Sequence, residues 1–373
     1  MSLSAKILPF PSRRETPCLS PRDAATAARG YLEIPRDARS DNHRDQFLGS
    51  PDVLLAICSI LSRQRDLAPL MVLEQATDIY RWISQSQFEL GLFDERDYFL
   101  GETGLLAGVA SRHLGRREEA LLWLDRAEAG FRHTMNPAPG LANVAYARLA
   151  LRFEMGRYQD VLELAPSLVA SFEKLRMGLE RSKCRLLLAM TLKQTGQHQV
   201  AIEILNQLRE EKETRADSQL AARVLAELGD LQQLEGQLAP AMSAFQEALS
   251  LLGRDEVSLA KADLKLYVGG IQKALGSLPE AAEAFRDAQR DYESLGMQAL
   301  VAYTHLVIGE TLLEMNRERE AQWEILAALP AIEEMRLVPE GFAAFALLRE
   351  SLSRRKPDVD ALQRLRAHLQ AKG

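Results

Sequence analysis

Every forty residues this sequence returns to a glycine. "EGQLAPAMSAFQEA", residues 235–248, and "LGSLPEAAEAFRDA", residues 275–288, share Gly, Ala, Phe and Ala at matching offsets. Extending that register gives Gly115, Gly156, Gly196, Gly236 and Gly276, then Asn316 in the same place, with steps of 41, 40, 40, 40 and 40 residues. Self-similarity of this period belongs to arrays of supersecondary units, each burying its apolar face only against its neighbours.

The spacing around each anchor defines the unit. Five residues after it stand Ala120, Val161, Ala201, Ala241, Ala281 and Ala321; nine after it stand Leu124, Ala165, Leu205, Phe245, Phe285 and Ile325. Twelve after it come Ala127, Leu168, Leu208, Ala248, Ala288 and Ala328. Gaps of four and three follow the 3.6-residue helical period, so these positions share one face of a helix. Seven residues before the anchors are Gly108, Leu149, Ala189, Gly229, Gly269 and Gly309, small in five cases of six. The pattern predicts two antiparallel helices crossing closely where the side chains are small. Their turn falls at the anchor, where glycine or asparagine takes the left-handed conformation. Pro240 and Pro279 fall in the first turn of the second helix, where a missing N–H costs nothing. Forty residues shared by two helices and two turns leaves about 17 residues, or about 25 Å, per helix.

The Gly/Ala, Gly, Ala, aromatic and Ala positions at this spacing resemble the tetratricopeptide repeat. The unit exceeds that family's usual length of about 34 residues, and so looks like the long-helix variety of kinesin light chains and bacterial peptide-sensing regulators. The resemblance implies an all-α fold, a right-handed α-solenoid of stacked antiparallel helix pairs, and a peptide- or protein-binding role. It covers residues 97–335, read as six repeats. The second repeat departs furthest, with Leu149 and Val161 where small residues are usual. Pro166 is expected to kink or shorten its second helix. The first-helix Trp of a standard repeat is absent, the residue set of the family's chaperone-tail clamp is not matched, and no chaperone partner is expected.

Outside the repeats, residues 1–20 hold Pro9, Pro11 and Pro17 among scattered charges and are expected to be disordered. Residues 21–50 read as an N-terminal helix and linker, with Ser20 as cap, Pro21 in the first turn and an end near Glu33. Residues 51–96 read as a degenerate capping helix pair turning at Gln64, and 336–373 as C-terminal capping helices, the last opened by Pro357. Arg354, Arg355, Lys356, Arg364 and Arg366 are expected to form the polar outer face that an array end needs. The peptide-sensing regulators generally carry a helix-turn-helix DNA reader, and none is apparent in the first fifty residues.

Composition narrows the function. The apolar fraction of 47% over 373 residues supplies a core, and no apolar run approaches the roughly 20 residues of a membrane span. The opening residues lack a secretory signal, which points to a cytoplasmic protein. Net charge is -6, with residues 46–348 carrying -12 against +2 before and +4 after, so nucleic acid is not the expected ligand. Cys18, Cys58 and Cys184 have no paired spacing; Cys58 and Cys184 lie in apolar helical stretches and read as core residues. The six histidines are isolated in sequence, and no phosphate loop, nucleophile elbow or metal-ligand motif is present. No enzyme activity, cofactor or metal is expected.

What remains is a surface. In such a stack the first helices line the concave side, and the residues on their face away from the second helix point into a groove. Counting from each turn gives Arg112, Asn143, Tyr146, Phe153, Lys183, Lys193, Arg223, Asp230, Gln233, Lys273, Tyr303 and Glu310, a set in which cations dominate. A peptide laid there would offer its backbone to Asn143 and Gln233 and its carboxylates to Lys183, Arg223 and Lys273, with Tyr146 and Phe153 as an apolar pocket. The expected function is a non-catalytic adaptor of a bacterial cytoplasm that binds a peptide or protein partner. The alternative is a peptide-gated sensor or regulator.

Overall fold

A computed structural model describes residues 19–65, 68–85, 93–253, 257–334, 339–353 and 357–370. Of residues 1–20, where disorder is expected, all but Leu19 and Ser20 lie outside the described residues, Cys18 among them, as do Arg354, Arg355 and Lys356. The described residues form nineteen α-helices and one 3-10 turn, with no strand. They fall into two compact units that divide between Gln197 and His198, within the third repeat.

The first unit holds α1 (Pro21–Glu33), α2 (Asp41–Leu48), α3 (Pro51–Gln64), α4 (Pro69–Gln85), α5 (Phe93–His113), α6 (Arg117–Arg132), α7 (Ala138–Glu154), α8 (Tyr158–Lys174) and α9 (Gly178–Gln194). Helix α1 begins at the expected cap: the Ser20 hydroxyl accepts from the Asp23 N–H, and Pro21 occupies the first turn. The stretch read as a linker contains α2, itself closed by a capping box between Ser40 and His43. Arg39, 5% exposed, ties this region down. Its guanidinium donates to Gln75 Oε1 at 2.6 Å and sits 4.3 Å over the Tyr31 ring.

The second unit holds α10 (His198–Glu210), α11 (Lys212–Ala216), α12 (Ser218–Leu234), α13 (Leu238–Leu251), α14 (Leu259–Ala274), α15 (Leu278–Ser294), α16 (Gln298–Glu314), α17 (Glu318–Glu333), α18 (Pro339–Ser353) and α19 (Val359–Gln370). Asp217 caps α12, Ser258 caps α14 and Asp358 caps α19. The last helix therefore starts two residues beyond Pro357, because the Asp358 carboxylate accepts from the Ala361 N–H at 2.9 Å and fixes the start there.

All six anchors have positive φ, from 58° at Asn316 to 81° at Gly276. Each closes its helix with the same pair of backbone bonds. At the fifth, the Gly276 N–H donates to the Lys273 carbonyl at 3.0 Å and the Ser277 N–H to the Gln272 carbonyl at 2.9 Å. This recurring closure satisfies carbonyls that the helix end would leave open.

Within each unit the pairs named by the register pack together: α5 on α6 and α7 on α8 in the first, α12 on α13, α14 on α15 and α16 on α17 in the second. The small residue seven before the turn meets the large one nine after it. A Cβ built on Gly108 would come within 2.9 Å of Leu124, on Gly229 within 2.7 Å of Phe245, and on Gly309 within 2.6 Å of Ile325. In the divergent second repeat the sizes are exchanged, with Leu149 seven before the turn and Ala165 nine after it, and both are buried in one cluster with Val161. Helix α8 runs its full 17 residues through Pro166, contrary to the expected shortening. Pro166 is exposed while Ala165, Leu168 and Phe172 are buried, and that packing carries the helix past the missing hydrogen bond.

Candidate functional site

First helices also touch the next first helix: α5 meets α7 and α7 meets α9 in the first unit, and α12 meets α14 in the second. Each unit thus has a layer of first helices whose inner faces are set by the offsets counted from the turns. The twelve candidate residues all lie on these helices, and the structure sorts them into three groups.

The first group is exposed or half-buried on the surface of these helices. Arg223 is exposed on α12, with Asp230 and Gln233 half-buried about two and three turns further along the same helix. Asn143 on α7, and Lys183 and Lys193 on α9, are likewise half-buried. On α14, which packs against α12, Gly270 opens onto free space, since a Cβ added there would meet nothing within 4 Å.

The second group is bound to neighbouring repeats. Arg112 at the end of α5 donates to Glu154 at the end of α7 at 2.5 Å, and Lys273 on α14 donates to Glu310 on α16 at 2.7 Å and to Glu314 at 3.1 Å. In both cases a cation three residues before one turn meets a carboxylate of the next first helix. Glu310 is 3% exposed and also accepts from Gln363 at 3.0 Å and from the Arg366 guanidinium, both on α19. Burial works to raise its carboxyl, but the Lys273 hydrogen bond, the Arg366 and Lys273 charges and Gln363 together hold it below the ordinary carboxylate value. Tyr303, on the same face of α16, is half-buried, and burial pushes its phenol up while the nearby Arg366 charge opposes this.

These pairings correct two expectations. The cationic excess of the candidate set is reduced, because Arg112 and Lys273 each face a carboxylate. Arg366 is no part of a solvated outer face, since its guanidinium is drawn onto a buried anion; Arg364, paired with Asp360 on its own helix, does face water.

The third group is aromatic. Tyr146 and Phe153 do not form a free pocket: the Tyr146 ring lies 6.5 Å from Phe172 and the Phe153 ring 5.5 Å from Tyr158, both on α8. Large rings at the edge of the inner face turn toward the second helix, where apolar partners are available.

Sequence reasoning missed the anions. Glu154 and Glu314 each stand two residues before their turns, so the same count would have found them. Glu102 on α5 was also missed. Burial pushes its carboxyl up to about 7, against a hydrogen bond with Tyr98 that works to lower it. Cys58 and Cys184 are buried, as the apolar context implied. His198 pairs with Glu235 at 2.9 Å and His305 with Glu324 at 2.7 Å, so neither is isolated in space. Among the described residues no group of three or more His, Cys, Asp or Glu is placed to hold a metal ion, and no helix is long and apolar enough to cross a membrane.

No protein-family model matches the chain, and no curated protein matches it. Solved structures do. The Rap conjugation gene regulator of the plasmid pLS20, in complex with the Phr* peptide, aligns with a TM-score of 0.55 at 15% identity, covering 95% of this chain and 96% of that one. NprR in complex with its cognate peptide NprX aligns with a TM-score of 0.53 at 14% identity, over 94% and 99% of the two chains. Aspartyl phosphate phosphatase F from Bacillus subtilis aligns with a TM-score of 0.51 at 14% identity, over 95% and 94%. At such identities the likeness is one of fold. The fold is that of a helical repeat protein of the tetratricopeptide type.

Proposed function

We propose that this chain is a non-catalytic adaptor of a bacterial cytoplasm that holds a peptide or protein segment on the inner faces of its first helices. The observation that carries this reading is a polar surface patch of the second unit: exposed Arg223 with half-buried Asp230 and Gln233 on α12, and the bare backbone of Gly270 on the adjoining α14. A glycine in mid-helix costs about 1 kcal/mol against alanine, and here neither a turn nor a close approach requires it. An extended segment crossing the patch would meet guanidinium, carboxylate and amide groups suited to side chains and backbone alike. Two proteins of similar fold were solved with peptides bound, which supports a peptide as the ligand. One similar structure is named a phosphatase; the reading offered for this chain is binding.

A peptide-gated regulator is the second reading. Ion pairs such as Lys273 to Glu310 join successive first helices, so a ligand carboxylate competing for Lys273 would alter how those helices are held. Affinity capture from a bacterial lysate at moderate salt separates the two. A stable protein partner without added peptide supports the adaptor, whereas partner exchange on adding peptide supports the regulator. Turnover of a substrate that is lost on changing one residue would reject both.

A further inference from the structure

On α16 the inner face is already occupied. Leu306 and Glu310 stand ten and six residues before the turn at Asn316; the matching residues are Ala226 and Asp230 on α12, and Leu266 and Gly270 on α14, all half-buried. On α16 the same two positions are 0% and 3% exposed, because α19 lies over them. Ala361, Leu362 and Leu365 of α19 are fully buried in one cluster with Leu306, and Leu369 packs at its edge. On the polar side of the same helix, Gln363 and Arg366 donate to the Glu310 carboxylate.

We propose that the inner face of α16, flanked by α18, is a seat for an amphipathic helix with a cationic edge, that α19 fills it in cis, and that a helix of the same pattern can fill it in trans. Glu310 supplies the selection, since a buried carboxylate accepts a helix that brings a guanidinium and an amide donor and rejects one that brings an acid. Lys273 makes the seat usable. It reaches Glu310 from α14 and stays when α19 leaves, so the anion keeps a partner with the seat empty. The twelve residues of α19 are too few for a stable helix in isolation, and its order depends on the seat. Release of α19 is therefore a transition from order to disorder, a common basis for switching. This regulation rests on the inner-face reading above, yet it concerns α16 and α19 and makes no use of Arg223 or Lys183.

The test uses the full chain carrying Leu362→Asp and Leu365→Asp, which unseat α19 while leaving α16 intact, and a labelled synthetic peptide of residues 357–373 as probe. The expected result is at least tenfold tighter binding of the peptide to this variant than to the parent chain, lost when Glu310→Gln is added or when the peptide carries Arg366→Glu. Equal binding to variant and parent, no binding to either, or indifference to Glu310→Gln would overturn the proposal. Hydrogen exchange on the unmodified chain gives an answer even if the variant fails to fold. Amides of 359–370 are expected to exchange at least tenfold faster than those of α16; equal rates would make α19 an inseparable part of the core. A negative outcome here, with binding lost on changing Lys183 and Arg223, would leave the inner-face reading standing.

Discussion

Gly269 on α14 lies so close to Phe285 on α15 that a Cβ built on it would come within 2.5 Å of the ring Cε1. Its neighbour Gly270 faces the other way, onto open space. The two glycines should therefore respond oppositely to alanine. Gly269→Ala forces the ring or the helix to move and is expected to destabilise by about 1–3 kcal/mol. Gly270→Ala fills nothing and removes unfolded-state freedom, so it is expected to stabilise by about 0.4–1 kcal/mol. Urea unfolding of the two variants measures both. Equal destabilisation would mean that the helix crossing is misplaced.

That contrast shows what could be read from sequence. The turns and crossings were legible because each demands a particular residue type at a fixed place: positive φ at the anchors, and a missing side chain where Phe245, Phe285 or Ile325 fills the gap. The inner face was legible as a set of positions but not as a set of contacts. Glu310 and Arg366 are 56 residues apart, and only the return of α19 across α16 brings them together. Tyr146 and Phe153 were placed in the groove by counting, yet a ring at the edge of a helical face goes to whichever side has apolar surface. Pro166 failed as a breaker because buried neighbours outweighed one lost hydrogen bond.

Glu102 gives a pH test of the first unit. Its carboxyl is raised from the ordinary 4.5 to about 7 by burial, with the Tyr98 hydrogen bond working in the opposite direction. Between those values the folded chain holds a proton that the unfolded chain has released. Stability from this group therefore falls as pH rises from 4.5 to about 7, then levels off. Glu102→Gln removes the titration. It is expected to stabilise the protein by about 1–3 kcal/mol at pH 8 and to make little difference at pH 4.5. Denaturant unfolding at the two pH values checks this, and a gain independent of pH would show that the carboxyl carries no such penalty.

Glu310 runs the other way. Its folded value is lowered despite burial, by Lys273, Arg366 and Gln363, so its contribution is fully present above 4.5 and is lost as pH falls through the lowered folded value. Glu310→Gln is expected to flatten the acid limb of the stability curve below 4.5, while Glu128→Gln, whose partners Arg132 and Arg148 lie in the first unit, should leave the exposure of α19 unchanged. Hydrogen exchange of 359–370 during acid titration reads out the difference.

Ligand capture by the inner faces is tested most directly by panning a displayed peptide library on the full chain and on the variant carrying Lys183→Glu with Arg223→Glu. Both residues lie on first helices, one in each unit, and neither fills a core cluster, so the variant should stay folded, which its far-UV circular dichroism checks. The parent chain is expected to enrich a family of peptides whose binding the charge-reversed variant loses at least tenfold. Enrichment of the same peptides with equal affinity by both chains would place the ligand elsewhere and contradict the account.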